Sequence, residues 1–160
     1  MPNAQPGIAP DDKGLRHRRR DAMAVLAEAP VAEIEPLLAA VGPLPAYREI
    51  RKPESGLVMT RGRIGGDGAP FNIGEATVTR CAVELATGEI GFGYVLGRDH
   101  GKARLIAMCD ALMQRDEFRD SVERIVLMPI RTRLAAERAV KQEQAAATKV
   151  EFFTLVRGED

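Results

Sequence analysis

The chain has 160 residues, 45% of them hydrophobic, and 23 basic against 23 acidic side chains give a formal net charge of +0. That length supports one domain with its own core, and the charge balance excludes a general electrostatic attraction to nucleic acid or an anionic membrane. The longest apolar runs, such as Ile125 to Met128, fall far short of a bilayer span, and no apolar signal core precedes the first charges. Cys81 and Cys109 stand far apart with no CxxC pattern, which reads as two buried free thiols in a reducing, cytoplasmic setting rather than a disulfide framework or a zinc knuckle.

Residues 1–14 (MPNAQPGIAPDDKG) are rich in Pro, Gly and Asp without periodicity and read as a disordered leader, leaving 15–160 as a single domain. From Leu15 the pattern is helical: Ala22, Val25, Leu26 and Ala29 share one stripe, and Pro30 ends it. Ile34, Leu37, Leu38 and Val41 repeat the spacing up to Gly42, with Pro36 near the first turn, so two helices form an N-terminal hairpin.

Tyr47 to Lys52 and Leu57 to Ile64 then read as strands separated by a turn at Pro53-Glu54-Ser55-Gly56. After the loop Gly65 to Pro70, residues Ile73 to Leu85 alternate, with Thr77, Thr79, Cys81, Val83 and Leu85 on one face. Ala86-Thr87-Gly88 predicts a hairpin connection into Glu89 to Gly97, where glycines 91, 93 and 97 leave one face open to close backbone approach.

Asp99 is the N-cap candidate for a core helix whose stripe is Leu105, Met108, Cys109 and Leu112, widened by Ile106 and Met113. The β-branched run Val122 to Leu127 suggests a strand, against the counter-signal of Pro129. Arg131 to Lys149 is helical in propensity but thin in large apolar residues, chiefly Leu134 and Val140, with Glu137 and Lys141 spaced for an ion pair. Val150 to Val156 (VEFFTLV) has aromatic and β-branched residues on both faces and reads as a strand covered on both sides. The fold expected is α+β: a largely antiparallel sheet, an N-terminal helical hairpin, a core helix and a long helix in the C-terminal half.

The segment Arg61 to Gly68 (RGRIGGDG) is the first candidate site, because clustered Gly65, Gly66 and Gly68 let backbone N–H groups converge on an anion while Arg61 and Arg63 supply charge-assisted bonds. It lacks the Lys-Ser/Thr ending of a P-loop, and a hairpin loop explains it equally well. Gly91 to Gly97 has the wrong final spacing for a dinucleotide fingerprint and lies within a strand. Arg98 and His100 flank the start of the core helix, where free N–H groups attract anions, although Asp99 capping its own helix is the simpler reading. His17 and His100 have no carboxylate cluster that would build a metal site or a triad, so the sequence offers no metal centre and no assignable catalytic residue. The basic run Arg16 to Arg20 lacks aromatic interleaving and reads as a solvated helix face. The thin helix Arg131 to Lys149 is either exposed or laid against a partner, and partner docking is the more useful hypothesis.

Taken together, ESGLV (54–58), GRIGGDG (62–68), FNIGEATVTR (71–80), YVLGRD (94–99), DALMQ (110–114) and FFTLVRG (152–158) resemble, in order and spacing, the G subunit of the carbon–phosphorus lyase system. The resemblance runs from the first helix to Gly158. It implies a cytoplasmic assembly with the H, I, J and L subunits, in which a phosphonate such as methylphosphonate displaces adenine from MgATP. The product is α-D-ribose 1-methylphosphonate 5-triphosphate. It further implies that the isolated chain is inactive, that MgATP enters as co-substrate with no cofactor bound by this chain, and that Arg63, Arg80 and Arg98 contribute to anion binding. The competing readings are a free-standing phosphate- or nucleotide-binding module and a purely structural scaffold.

Overall fold

The structure, a computed structural model, describes residues 10–65 and 67–147. The strand expected at Val150 to Val156, the last residues of the C-terminal helix, Gly66 and residues 1–9 lie outside them.

Two helices open the chain, α1 (Pro10–Glu28) and α2 (Val31–Ala39), joined at Ala29 and Pro30 as the stripe spacing predicts. The α1 helix begins at Pro10 rather than Leu15, so residues 10–14 are helical. Ala22, Leu26, Ile34 and Leu38 are buried, which places the predicted stripes in the core.

A three-stranded antiparallel sheet in the order β1-β2-β3 follows, with β1 Tyr47–Gly62, β2 Phe71–Leu85 and β3 Ile90–Leu96. The turn expected at Pro53 to Gly56 does not form: β1 is one 16-residue strand. Its register against β2 shifts between Glu49 and Arg51 and again between Arg51 and Glu54. These bulges absorb Pro53, which an edge strand tolerates because its missing N–H removes no ladder bond. The Ala86-Thr87-Gly88 hairpin is present, with Gly88 at φ +101° and Leu85 N–H donating to the Glu89 carbonyl at 2.9 Å.

Helix α3 (His100–Leu112) lies across β2 and β3. The glycine face of β3 makes this possible: a Cβ on Gly91 would sit 2.0 Å from the Ala107 carbonyl oxygen, and one on Gly93 would sit 1.8 Å from that of Ala103. Backbone therefore packs directly on backbone. Arg19 grips the buried Asp110 with two bonds of 2.8 Å, and Asp110 also accepts the Phe92 N–H at 2.9 Å. One carboxylate thus ties α1, α3 and β3 together.

Beyond α3 the structure departs from the sequence reading. Helix α4 (Asp116–Ser121), for which the apolar pattern gave no signal, runs into a π-helical segment Val122–Leu127 and then α5 (Met128–Ala147). The expected strand at Val122 to Leu127 is therefore helix. Its β-branched residues fill the core, where Val122, Val126 and Leu127 are fully buried, and tertiary burial overrides local propensity. Pro129 explains the wider turn: it cannot donate to the carbonyl four residues back, and the Met128 N–H already reaches five residues back to Glu123.

Helix α5 buries only Ile130 and Leu134, as its thin apolar pattern implies. Ion pairs add to this: Arg133 bonds Glu33 on α2 and Arg138 bonds Glu28 on α1. Arg133 also takes Glu137, the residue the sequence pairs with Lys141. The layers run from the sheet through α1 and α3 to α2, the π segment and α5.

Candidate functional site

The anion candidates do not form one site. Arg63, Gly65 and Gly68 sit at the tip of the β1–β2 hairpin, which runs past the end of β3 because β3 pairs with β2 only from Val78 to Glu84. Arg80 lies nine residues along β2 from Phe71, roughly 30 Å away at strand rise.

At the tip, the Gly68 N–H donates to the Ile64 carbonyl at 3.2 Å. Arg63 reaches the Gly68 carbonyl at 3.5 Å. Gly65 has φ +67°, and a Cβ on Gly68 would meet the Ile64 carbonyl oxygen at 2.5 Å, so both glycines are needed to close the turn. The loop is a tight hairpin end in which at least the Gly68 N–H is already used. Gly66 lies outside the described residues.

Arg80 and His100 are on opposite sides of the sheet. Arg80 projects from the open face, where its Nε donates to Glu54 at 2.8 Å beside Arg51. Exposed Ile50, Phe92 and Tyr94 border it, and together with Arg51 these side chains line a hollow of about 480 Å³. The sequence passes over Glu54 because its residues read as a turn; continued as strand, Glu54 faces Arg80 across the ladder.

On the helix side, Asp99 caps α3 by accepting the Lys102 N–H at 2.8 Å, so its own carboxylate takes one of the N–H groups an anion would need. His100, the next residue, places Nε2 2.9 Å from Ser55 Oγ. Ser55 in turn lies 3.0 Å from Thr79 Oγ1, which donates to the Gly97 carbonyl at 2.7 Å. A hydroxyl has one proton. Thr79 gives its proton to Gly97, so Ser55 donates to Thr79 and His100 Nε2–H donates to Ser55. Ser55 is therefore an acceptor toward His100 and not a nucleophile activated by it, and Nδ1 is the nitrogen left for other partners. Ser55 and Thr79 escaped the sequence reading; a buried threonine on the core-facing alternation was the available signal. Arg98 is exposed and has no salt-bridge partner among the described residues.

Neither cysteine supplies chemistry. Both are buried and free. Burial, helped by the adjoining Asp110, pushes the Cys109 thiol up to about 12. Burial and then the Glu49 carboxylate raise Cys81. Among the described residues no group of three or more His, Cys, Asp or Glu side chains could hold a metal ion, and no helix is long and apolar enough to cross a membrane.

These features define an α+β chain whose polar groups are spread over three places. The sequence matches the family model of phosphonate metabolism protein PhnG over residues 17–158. It is 49% identical over 150 residues to the alpha-D-ribose 1-methylphosphonate 5-triphosphate synthase subunit PhnG of Rhizobium meliloti (strain 1021), covering 94% of this chain and 95% of that protein. The chain belongs to the PhnG family.

Proposed function

We propose that this chain is a non-autonomous subunit of an α-D-ribose 1-methylphosphonate 5-triphosphate synthase, working in the cytoplasm with the H, I, J and L subunits of the carbon–phosphorus lyase system. The reading rests above all on the 49% identity to a named synthase subunit over nearly the whole of both chains. In the reaction a phosphonate oxygen bonds to the ribose C1 of MgATP as the bond to adenine breaks, and adenine leaves with a proton. Such a displacement needs cations against the triphosphate and the phosphonate, and a group that assists the departing base.

The described residues fit the cationic part of that demand. Arg63 is carried on the hairpin tip, away from the core, where a partner's cleft would receive it. Arg98 is exposed at the start of α3 and has no salt-bridge partner among the described residues. Arg80 is matched by Glu54 and suits a structural role better. The spread of these groups over the hairpin tip, the open face of the sheet and the start of α3 supports completion of the site by other subunits.

Adenine release from MgATP and methylphosphonate tests this, measured with the chain alone, its partners alone, and all together. Turnover is expected only from the full set, and full turnover by the isolated chain overturns the reading. Within the complex, Arg63→Ala and Arg98→Ala are each expected to lower kcat by about 10²-fold, as loss of one charge-stabilising donor does. Unchanged kcat for both, with assembly intact, would favour the scaffold reading. The free-standing nucleotide-binding reading predicts tight ATP binding by the monomeric chain, abolished by Arg63→Ala; the internal use of the Gly68 N–H weighs against it.

A further inference from the structure

We propose that the open face of the sheet is the surface on which another synthase subunit docks, and that the docked surface is apolar and carries an aspartate or glutamate for Arg51. The docking rests on the subunit role proposed above and adds to it where contact is made and what chemistry meets there.

An antiparallel sheet with one face in water ordinarily turns apolar residues toward the core and polar ones toward solvent. β3 inverts that pattern. Gly91 and Gly93 are on the inner row, where they admit the backbone of α3, and Val95 is buried beside them. Ile90, Phe92, Tyr94 and Leu96 form the outer row and are between 37% and 77% exposed. Glycine on the inside is explained by the close approach of the helix, but a wholly apolar row on the outside is not. Aromatic and aliphatic side chains set among arginines are the composition of an interface core.

The pairing register shapes this face. Leu96 stands opposite Val78 and Phe92 opposite Ala82, and both of those small side chains are buried. Across β2, Gly56 faces Val78 and Arg51 faces Ala82. The centre of the sheet is thus lower than its β3 margin, and the hollow of about 480 Å³ between Ile50, Arg51, Arg80, Phe92 and Tyr94 lies there.

The charges at the hollow are unequal. Residues three apart on a regular strand point to opposite faces, and the register shift between Arg51 and Glu54 brings both to the same one. Glu54 gives its carboxylate to Arg80 at 2.8 Å, and Arg51 Nε is left 3.7 Å from the same oxygen. Two guanidinium groups therefore share one carboxylate, and the Arg51 side chain, half exposed, makes no hydrogen bond among the described residues. Water satisfies it while the face is open. A purely apolar partner would strip that water and leave a charge without an acceptor, so the partner that fits brings a carboxylate of its own.

Two other occupants fit less well. Glu54 and Glu84 on this face repel phosphates, and the aliphatic Ile50, Ile90 and Leu96 offer no ring for base stacking, which disfavours nucleic acid. A second copy of the chain, applied across a twofold axis, adds no carboxylate beyond those already held by Arg48 and Arg80.

The test uses full-length Tyr94→Cys and Leu96→Cys chains, labelled with a maleimide alone and after co-expression with the H, I, J and L subunits. The native thiols are buried, so their labelling would expose a variant that has unfolded. Both introduced thiols are expected to react at the rate of a free cysteine in the isolated chain and at least tenfold more slowly in the complex. In an Arg51→Lys chain, carbodiimide treatment of the complex is expected to join position 51 to an aspartate or glutamate of another subunit. Unchanged labelling in an assembled complex overturns the docking and leaves the subunit role standing. Failure of the unaltered chain to associate with any of these subunits overturns both. Labelling that is already slow in the isolated chain, or is slowed there by raising its own concentration, by MgATP or by single-stranded RNA, assigns the face to another occupant and overturns the proposal. Crosslinks from position 51 confined to this chain's own carboxylates overturn the partner carboxylate.

Discussion

His100 Nε2 lies 2.9 Å from Ser55 Oγ, and this contact joins the first turn of α3 to the middle of β1 across 45 residues of sequence. The donor order set by Thr79 and Gly97 fixes the neutral imidazole with its proton on Nε2. Nitrogen-15 shifts of the ring should report that tautomer, and Ser55→Ala should relax the preference. Thr79 is fully buried. Thr79→Val leaves both the Gly97 carbonyl and the Ser55 hydroxyl without their partner and should cost about 1–3 kcal/mol in urea unfolding, against under about 1 kcal/mol for the exposed Ser55→Ala. Equal costs would remove Thr79 from the centre of the chain of bonds.

Gly93 and Gly91 decide whether α3 can dock. Gly93→Ala places a methyl 1.8 Å from the Ala103 carbonyl oxygen, and neither the helix nor the strand can yield without separating the layers. The expected loss is about 3 kcal/mol or more, at or beyond the upper end of ordinary overpacking, read as a lowered urea midpoint or a failure to fold. Gly74→Ala, in the part of β2 that extends beyond β3 and with no atom within 4 Å of the added carbon, should cost under about 1 kcal/mol.

This close approach was legible in the sequence, because glycines alternating with Phe92, Tyr94 and Leu96 put every small residue of the strand on one face. So were the helical hairpin, the Asp99 cap and the Gly88 turn, all encoded by short-range chemistry. What was not legible depended on distant parts of the chain. Pro53 reads as a turn until β1 is known to be an edge strand, and Val122 to Leu127 reads as β until the core that receives those side chains is present. Arg63, Arg80 and Arg98 share a charge type, but one tip and two faces of a sheet keep them apart. Strand pairing, which the local sequence does not display, sets that distribution.

Asp110 is the polar centre of the fold. Its side chain is 1% exposed, and it accepts two bonds from Arg19 and one from the Phe92 N–H. Asp110→Ala takes the buried carboxylate from beside the Arg19 guanidinium and leaves the Phe92 amide without its acceptor, and should cost roughly 3–5 kcal/mol. The double variant Arg19→Met/Asp110→Ala should recover part of this, since the guanidinium is then removed together with the carboxylate. A double-variant loss equal to the sum of the single losses would show that the two side chains act independently.

Cys109 makes the stability of the protein depend on alkaline pH. Its thiol ionises near 9.0 when unperturbed and is pushed up to about 12 in the fold by complete burial. The folded state therefore favours the protonated thiol, and the unfolded chain releases the proton first. The stabilisation is fully present below pH 9, declines as pH rises, and is gone above about 12. Three pH units correspond to about 4 kcal/mol at most. Urea midpoints measured at pH 8 and at pH 10.5 should fall for the unaltered protein. Cys109→Ala should start lower, because a small cavity replaces the sulfur, yet fall less over the same interval. Cys81, raised in the same direction by burial and Glu49, should leave a residual slope in that variant. Removing it as well with Cys81→Ala should flatten the curve further, and a slope unchanged in both variants would assign the alkaline loss to other groups.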